Sequence, residues 1–142
     1  TWYNARVEKN TWKNFVLGEV QFVDIWEEFS TEPIIVANMI AQHNLISKIN
    51  PHPIKYAALA QCMSKVRDYI INRWKDQKIR IVAPTFGTGL AGGNPVIIKA
   101  LIEELWTIPD VNVDIYSLES PNPCLSLYDN TWKDEEVIKV WQ

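Results

Sequence analysis

Residues 83–95 read Ala-Pro-Thr-Phe-Gly-Thr-Gly-Leu-Ala-Gly-Gly-Asn-Pro and hold four of the five glycines in the chain. The apolar run before them, residues 79–83, is typical of a buried strand, and the amphipathic run after them, residues 96–106, predicts a helix. Glycine lets a loop turn its backbone N–H groups inward, and a helix N-terminus adds further donors and a positive dipole end. We therefore predict that this loop binds a phosphate, most simply a diphosphate.

Two other interpretations of this segment, residues 86–93 and called the glycine loop below, remain open. Asn94 is a favoured N-cap and Pro95 fits a first helical turn, so the glycines would then only form a tight turn into a capped helix. That interpretation does not require Gly87 and Gly89. Residues 87–92 also match the dinucleotide pattern G-x-G-x-x-G, but that pattern belongs to a first βαβ unit, and this loop comes late in the chain.

Composition limits the classes of function. The chain has 142 residues, of which 47% are hydrophobic and 22% charged, as expected for one domain with a hydrophobic core. A net charge of −3 gives no electrostatic argument for nucleic acid or an anionic membrane. Cys62 and Cys124 are far apart and two histidines do not complete a zinc set, so neither a metal nor a cofactor is predicted. Without a signal peptide or a membrane-length apolar run, a cytoplasmic location is expected.

The pattern along the chain predicts an α/β sheet with helices on its faces. Strands 34–40 and 79–83 are nearly continuous in apolar residues, which favours buried parallel strands. The predicted elements are strands 20–25, 34–40, 79–83 and 111–118, helices 54–75 and 96–106, and a short terminal helix within 132–142.

Ligands of such sheets bind beyond the carboxyl ends of the strands, which places Gln42 and His43 at the same end as Phe86 and the glycine loop. His43 is a candidate general acid or base because imidazole titrates near neutral pH, with a backbone-bonding loop histidine as the alternative. Gln42 and Asn38 are candidates for positioning a phosphate or water, although Asn38 in a strand can equally satisfy backbone groups.

Three segments in the same order resemble a macro domain. They are Val-Ala-Asn-Met-Ile-Ala-Gln-His at 36–43, Pro-Ile-Lys-Tyr at 53–56 with Ala58, Leu59 and Cys62, and Pro-Thr-Phe-Gly-Thr-Gly-Leu-Ala-Gly-Gly at 84–93. The branch that they resemble includes ADP-ribose 1''-phosphate phosphatases and small bacterial and phage macro domains. The match covers about 15–118 of a single domain, 1–142, and leaves 119–142 as a C-terminal extension. It implies a three-layer α/β/α fold with a mixed, largely parallel sheet.

The resemblance also implies a ligand and a reaction. The expected ligand is ADP-ribose or a phosphorylated derivative, and the phosphatase branch hydrolyses ADP-ribose 1''-phosphate to ADP-ribose. By position, residues 86–92 cradle the diphosphate and distal ribose, and Phe86 lines the distal ribose pocket. The ligand-binding candidates are Asn38, Gln42, Phe86, Gly87, Thr88, Gly89, Leu90, Ala91 and Gly92. The catalytic candidates are His43 and Asn94.

The sequence departs from the macro-domain pattern in two places. The N-terminal strands with a Gly-Asp pair, an Asn and a first glycine-rich loop have no counterpart, since Gly18 is the one glycine before residue 87. The chain is therefore expected either to be truncated or to build its site differently. Where the family often has an Asp after the two glycines, this chain has Asn94, whose amide accepts a hydrogen bond but cannot act as a base. A non-catalytic module for ADP-ribose or ADP-ribosylated partners, and an inactive fragment, are the alternatives.

Overall fold

The computed structural model of the chain describes residues 16–25, 32–119 and 121–128. Its elements are β1 (Val20–Ile25), β2 (Ile34–Met39), α1 (Tyr56–Arg73), β3 (Ile79–Pro84), a 3-10 turn (Gly89–Ala91), α2 (Pro95–Leu105), β4 (Val111–Tyr116) and β5 (Leu125–Tyr128). The two helices and four strands predicted for these residues are confirmed to within two residues at each end. β5 was not predicted, and the predicted terminal helix within 132–142 lies outside the described residues.

The strands form an α/β arrangement with mixed pairing. β1 pairs with β2 antiparallel, β3 with β4 parallel, and β4 with β5 antiparallel. The α/β class is thus confirmed, but one of the three pairings in the described part of the chain is parallel, so the predicted largely parallel sheet is not what these residues show. The prediction that 34–40 is a buried strand was also wrong, and the one pairing that β2 forms among the described residues is antiparallel. β2 is half-exposed, and the side chain of Ile34 is 40% exposed. The prediction failed because apolar side chains on both faces of a strand do not by themselves show that both faces are covered.

Both helices contribute to one hydrophobic core. The buried side chains of α1 recur every three or four residues and are Ala58, Leu59, Cys62, Met63, Val66 and Ile70. On α2, Ile98 and Ile102 are fully buried and belong to the same core as Val113 and Ile115 of β4. The indole Nε1 of Trp106 donates to the Met63 carbonyl at 3.0 Å, which satisfies the polar atom of that buried ring. The core therefore lies between the helices and the inner faces of the strands.

A polar network lies on the opposite face of the three-stranded sheet. The buried carboxylate of Asp114 accepts from Arg80 Nε and from the Ser126 hydroxyl, each at 2.6 Å. Arg80 Nη2 also donates to the Tyr116 hydroxyl at 2.9 Å. The hydrogen bond to Asp114 raises the pKa of the Arg80 guanidinium above its ordinary value. Because both carboxylate oxygens have partners, this burial of a charge is compensated.

Cys62 connects α1 to the β1–β2 hairpin. It is fully buried, and its thiol donates to the carbonyls of Glu19 and Ile40 at 3.4 and 3.5 Å. Burial raises the pKa of the Cys62 thiol above its ordinary value, so the reactive thiolate is suppressed.

At about pH 8.5, iodoacetamide is therefore expected to modify the half-buried Cys124 and to leave Cys62 unmodified in the native protein. Peptide mass spectrometry checks the two sites, and denaturant should make them equally reactive. Equal labelling under native conditions would show that α1 does not stay packed on the hairpin.

Candidate functional site

The glycine loop lies at the carboxyl end of β3 and leads into α2. Its fold depends on positive φ angles, 73° at Gly87, 59° at Gly89 and 69° at Gly92. With these angles the chain closes on itself, because Gly92 N–H donates to the Gly89 carbonyl at 3.0 Å and Gly93 N–H to the Gly87 carbonyl at 2.8 Å. Glycine is the residue that reaches this conformation without steric cost.

A run of unpaired donors results from this conformation. Within the described residues, the backbone N–H groups of Gly87, Thr88, Gly89 and Leu90 have no hydrogen-bond acceptor. Gly89 and Leu90 are exposed to solvent. Successive backbone N–H groups in a turn can form a concave anion site without a charged side chain.

The first turn of α2 contributes less than the sequence suggested. Asn94 caps the helix, since its Oδ1 accepts from Val96 N–H at 2.9 Å, so the predicted N-cap is confirmed. Pro95 has no N–H, and the N–H of Asn94 donates to the Tyr56 hydroxyl at 2.8 Å. The N–H groups of Asn94 and Val96 are therefore used within the protein, and the run of consecutive unpaired donors lies in the glycine loop itself.

Residues 51–54, in the connection between β2 and α1, lie beside the glycine loop. Residues 53–55 pair antiparallel with residues 41–43, which follow β2, and Ile54 N–H donates to the Ala91 carbonyl at 3.0 Å. The His52 Nδ1 lies 3.0 Å from the Gly92 carbonyl oxygen. A Cβ on Gly92 would lie 2.6 Å from the Pro51 carbonyl oxygen, so the two segments approach too closely for any other residue there. These contacts hold the shape of the glycine loop from one side.

The predicted side chains divide between this site and other parts of the fold. Gln42 is exposed and its amide donates to the Asn44 carbonyl at 2.7 Å, which shapes the turn after β2. His43 is exposed, and no ionisable partner for its ring lies in the described parts of the chain. The side-chain amide of Asn38 donates to Gln21 Oε1 across the β1–β2 hairpin at 3.0 Å, so this side chain is used within the hairpin and not at the glycine loop.

Phe86 packs inward. Its ring centroid lies 5.8 Å from that of Trp106, and the side chain is half-buried against the core. The side chain therefore anchors the start of the glycine loop to the hydrophobic core. Its predicted role in lining a ribose pocket stays a prediction.

Sequence reasoning missed the residues that hold the loop in place. These residues are His52, to which the sequence analysis gave no role, and Tyr56, which entered it only as part of the macro-domain resemblance. Each forms its contact through one polar atom to backbone that is about 40 positions away in sequence. The one sequence signal for His52 is its position between Pro51 and Pro53, which stiffens the segment.

The described residues contain no cluster of three or more His, Cys, Asp or Glu side chains that could hold a metal ion. None of their helices has both the length and the apolar character that crossing a bilayer requires.

Comparison with known proteins identifies relatives but not an activity. No family model and no curated protein matches the sequence. A solved structure described as a protein of unknown function from Bacteroides thetaiotaomicron is similar, with 30% identity, a TM-score of 0.65 and coverage of 82% of this chain and 68% of that chain. An X-ray crystal structure from the Northeast Structural Genomics Consortium, also of a Bacteroides thetaiotaomicron protein, matches at 30% identity and a TM-score of 0.64, covering 82% of this chain and 69% of that one. With this identity over more than two thirds of its relative, the chain belongs to the family of the Bacteroides thetaiotaomicron protein of unknown function.

Proposed function

We propose that the glycine loop binds the diphosphate of ADP-ribose and that the protein is a macro-domain-like module for ADP-ribose or an ADP-ribosylated partner. One observation carries the proposal: the backbone N–H groups of residues 87–90 are consecutive and lack acceptors within the described structure. Two linked phosphates supply several acceptor oxygens over a similar length of chain. The resemblance of residues 36–43, 53–62 and 84–93 to macro domains selects ADP-ribose among diphosphates.

The surroundings of the loop support binding by a preformed site. Ile54, His52 and Tyr56 bond to the loop backbone at Ala91, Gly92 and Asn94 without using its free donors. A loop that is already ordered loses little conformational entropy when the ligand binds. The net charge of −3 does not oppose this mode, because the ligand is recognised by backbone dipoles and not by a basic patch.

The contacts favour binding over hydrolysis of the 1''-phosphate. The side-chain Oδ1 of Asn94 accepts the capping hydrogen bond from Val96, and an amide cannot act as a base. Of the catalytic candidates, His43 is the one whose side chain can both accept and donate a proton. No carboxylate in the described structure orients its ring, which general-base catalysis by histidine commonly requires.

Isothermal titration calorimetry tests the binding proposal. We expect ADP-ribose to bind in the micromolar to millimolar range, about −8 to −4 kcal/mol, and ADP to bind more weakly because it lacks the distal ribose. Backbone chemical shifts should move at residues 87–90. The absence of both heat and shift changes at millimolar ADP-ribose would exclude the proposal.

A phosphate-release assay on ADP-ribose 1''-phosphate separates the module from the enzyme. The expected result is no release, or slow release that is lost in His43→Ala and retained in Asn94→Ala. Fast turnover by the wild-type protein would establish the phosphatase instead. Loss in Asn94→Ala alone would assign that residue to positioning water or phosphate.

A further inference from the structure

The connection between β2 and β3 implies that both belong to one sheet. α1 joins them as a strand–helix–strand unit, and such crossovers place their strands parallel in the same sheet. In the described residues, however, β2 pairs with β1 alone and β3 with β4 alone, so the strands fall into two separate sheets. Both strands therefore present an edge whose backbone groups have no partner among those residues.

The pairing pattern identifies the unpaired groups on β2. Ile40 N–H donates to the Glu19 carbonyl at 2.9 Å, and the register then directs the even-numbered residues of β2 toward β1. The N–H and C=O groups of Ile35, Ala37 and Met39 therefore point away from β1. The side chains of Ala37 and Met39 pack against the core, so this edge lies directly beside the helices.

The same reasoning applies to β3. Ile79 N–H donates to the Asp110 carbonyl at 2.8 Å and Thr85 N–H to the Tyr116 carbonyl at 3.0 Å, so the odd-numbered residues of β3 face β4. The backbone groups of Arg80, Val82 and Pro84 consequently point away. Pro84, which has no N–H, occupies one of these outward positions, where proline costs the ladder nothing.

Residues 53–55 show that the outward edge of β2 accepts an extended segment where it continues past residue 39. On one side, Lys55 N–H donates to the Ala41 carbonyl at 2.8 Å and His43 N–H to the Pro53 carbonyl at 3.0 Å, on the continuation of the same outward edge of β2. On the other side, Ile54 N–H donates to the glycine loop that follows β3. One extended stretch thus bonds both to the continuation of β2 and to the glycine loop. The two unpaired edges formed by residues 35–39 of β2 and 80–84 of β3 are together called the strand slot.

We propose that the strand slot binds one extended polypeptide segment, which forms backbone hydrogen bonds with β2 and β3 at once and joins the two sheets. Its side chains toward α1 should be apolar, since they would complete the core between Met39 and Ile81. We assign this segment to a stretch equivalent to the part of the Bacteroides thetaiotaomicron relative that lies outside the match. That part is about a third of the relative. The inference rests on strand pairing and does not depend on ADP-ribose.

Amide hydrogen exchange followed by NMR tests the strand slot. The probes are short overlapping synthetic peptides that cover the part of the Bacteroides protein outside the match. In the free chain, the amides of Ile35, Ala37, Met39, Arg80 and Val82 should exchange quickly. One peptide should slow all five by at least tenfold, because strand addition protects both edges together. If no peptide slows the exchange of these amides, the proposal is overturned. It is also overturned if protection rises with protein concentration in the absence of peptide, because a second copy of the chain would then occupy the strand slot.

Two variants at one position provide a matched control. Val82→Pro removes an outward N–H and should abolish the peptide-induced protection, whereas Val82→Thr keeps the N–H and the β-branch and should retain it. Because the Val82 N–H points away from β4, neither change breaks the β3–β4 ladder. Both variants should bind ADP-ribose as the wild type does, which separates this result from the test of the glycine loop. Wild-type protection in Val82→Pro would contradict the proposed pairing.

Discussion

Gly89→Val is expected to lower the affinity for ADP-ribose at least 100-fold, or about 2.7 kcal/mol, while the protein remains folded. Gly89 sits among the unpaired donors, and a branched side chain there would occupy the space that the phosphate needs to approach the backbone. The fold should tolerate the change, because a Cβ on Gly89 meets no atom within 4 Å. The cost to stability comes from φ of 59°, and is about 1–2 kcal/mol.

Calorimetry and thermal unfolding measure the two effects separately. Val96→Ala is the control, since Val96 is 73% exposed near the loop and its change leaves every loop N–H in place. Normal affinity in Gly89→Val would place the phosphate elsewhere. Unfolding of Gly89→Val would favour the interpretation in which the glycines serve only the turn.

Gly93→Ala is expected to destabilise the protein by about 3 kcal/mol and to abolish binding at the same time. A Cβ at Gly93 would overlap the carbonyl oxygen of Gly87 and lie 3.1 Å from Ile98 Cδ1. Backbone cannot move aside as a side chain does, and this contact is also where Gly93 N–H closes the loop at 2.8 Å. The substitution therefore opens the loop and disturbs the core side chain beneath it.

Gly89→Ala is the matched control, because it adds the same methyl group four residues earlier in open space. Chemical denaturation should show a loss of about 1 kcal/mol for Gly89→Ala and about three times that for Gly93→Ala. Equal losses would mean that the close approach of Gly93 to Gly87 does not constrain the native loop.

The sequence predicts the helices and the position of the loop well because these depend on local signals. The three- and four-residue spacing from Tyr56 to Ile70 is enough to define α1, and a glycine run between a strand and a helix is enough to define the loop. Asn94 and Pro95 mark the start of α2 through the same local chemistry.

The burial of each strand and the contacts that hold the glycine loop depend on residues far apart in sequence. Local patterns therefore could not predict them. β2 is apolar on both faces, but the number of neighbours that cover a strand is a property of the whole sheet. β5 is four residues long and follows two prolines, which is too short a pattern to distinguish from a loop. The contacts of His52 and Tyr56 with the backbone of residues 92 and 94 are single long-range hydrogen bonds, and no periodic sequence pattern indicates them.

The buried carboxylate of Asp114 also determines how the three strands align. Its partners, Arg80 and Ser126, stand on the two strands that flank β4, so the bonds form in one alignment alone. A slip of one residue would turn the carboxylate into the apolar interior, where an unpaired charge costs several kcal/mol. Competing alignments are thereby disfavoured during folding, so one buried carboxylate contributes to the choice of strand register as well as to stability.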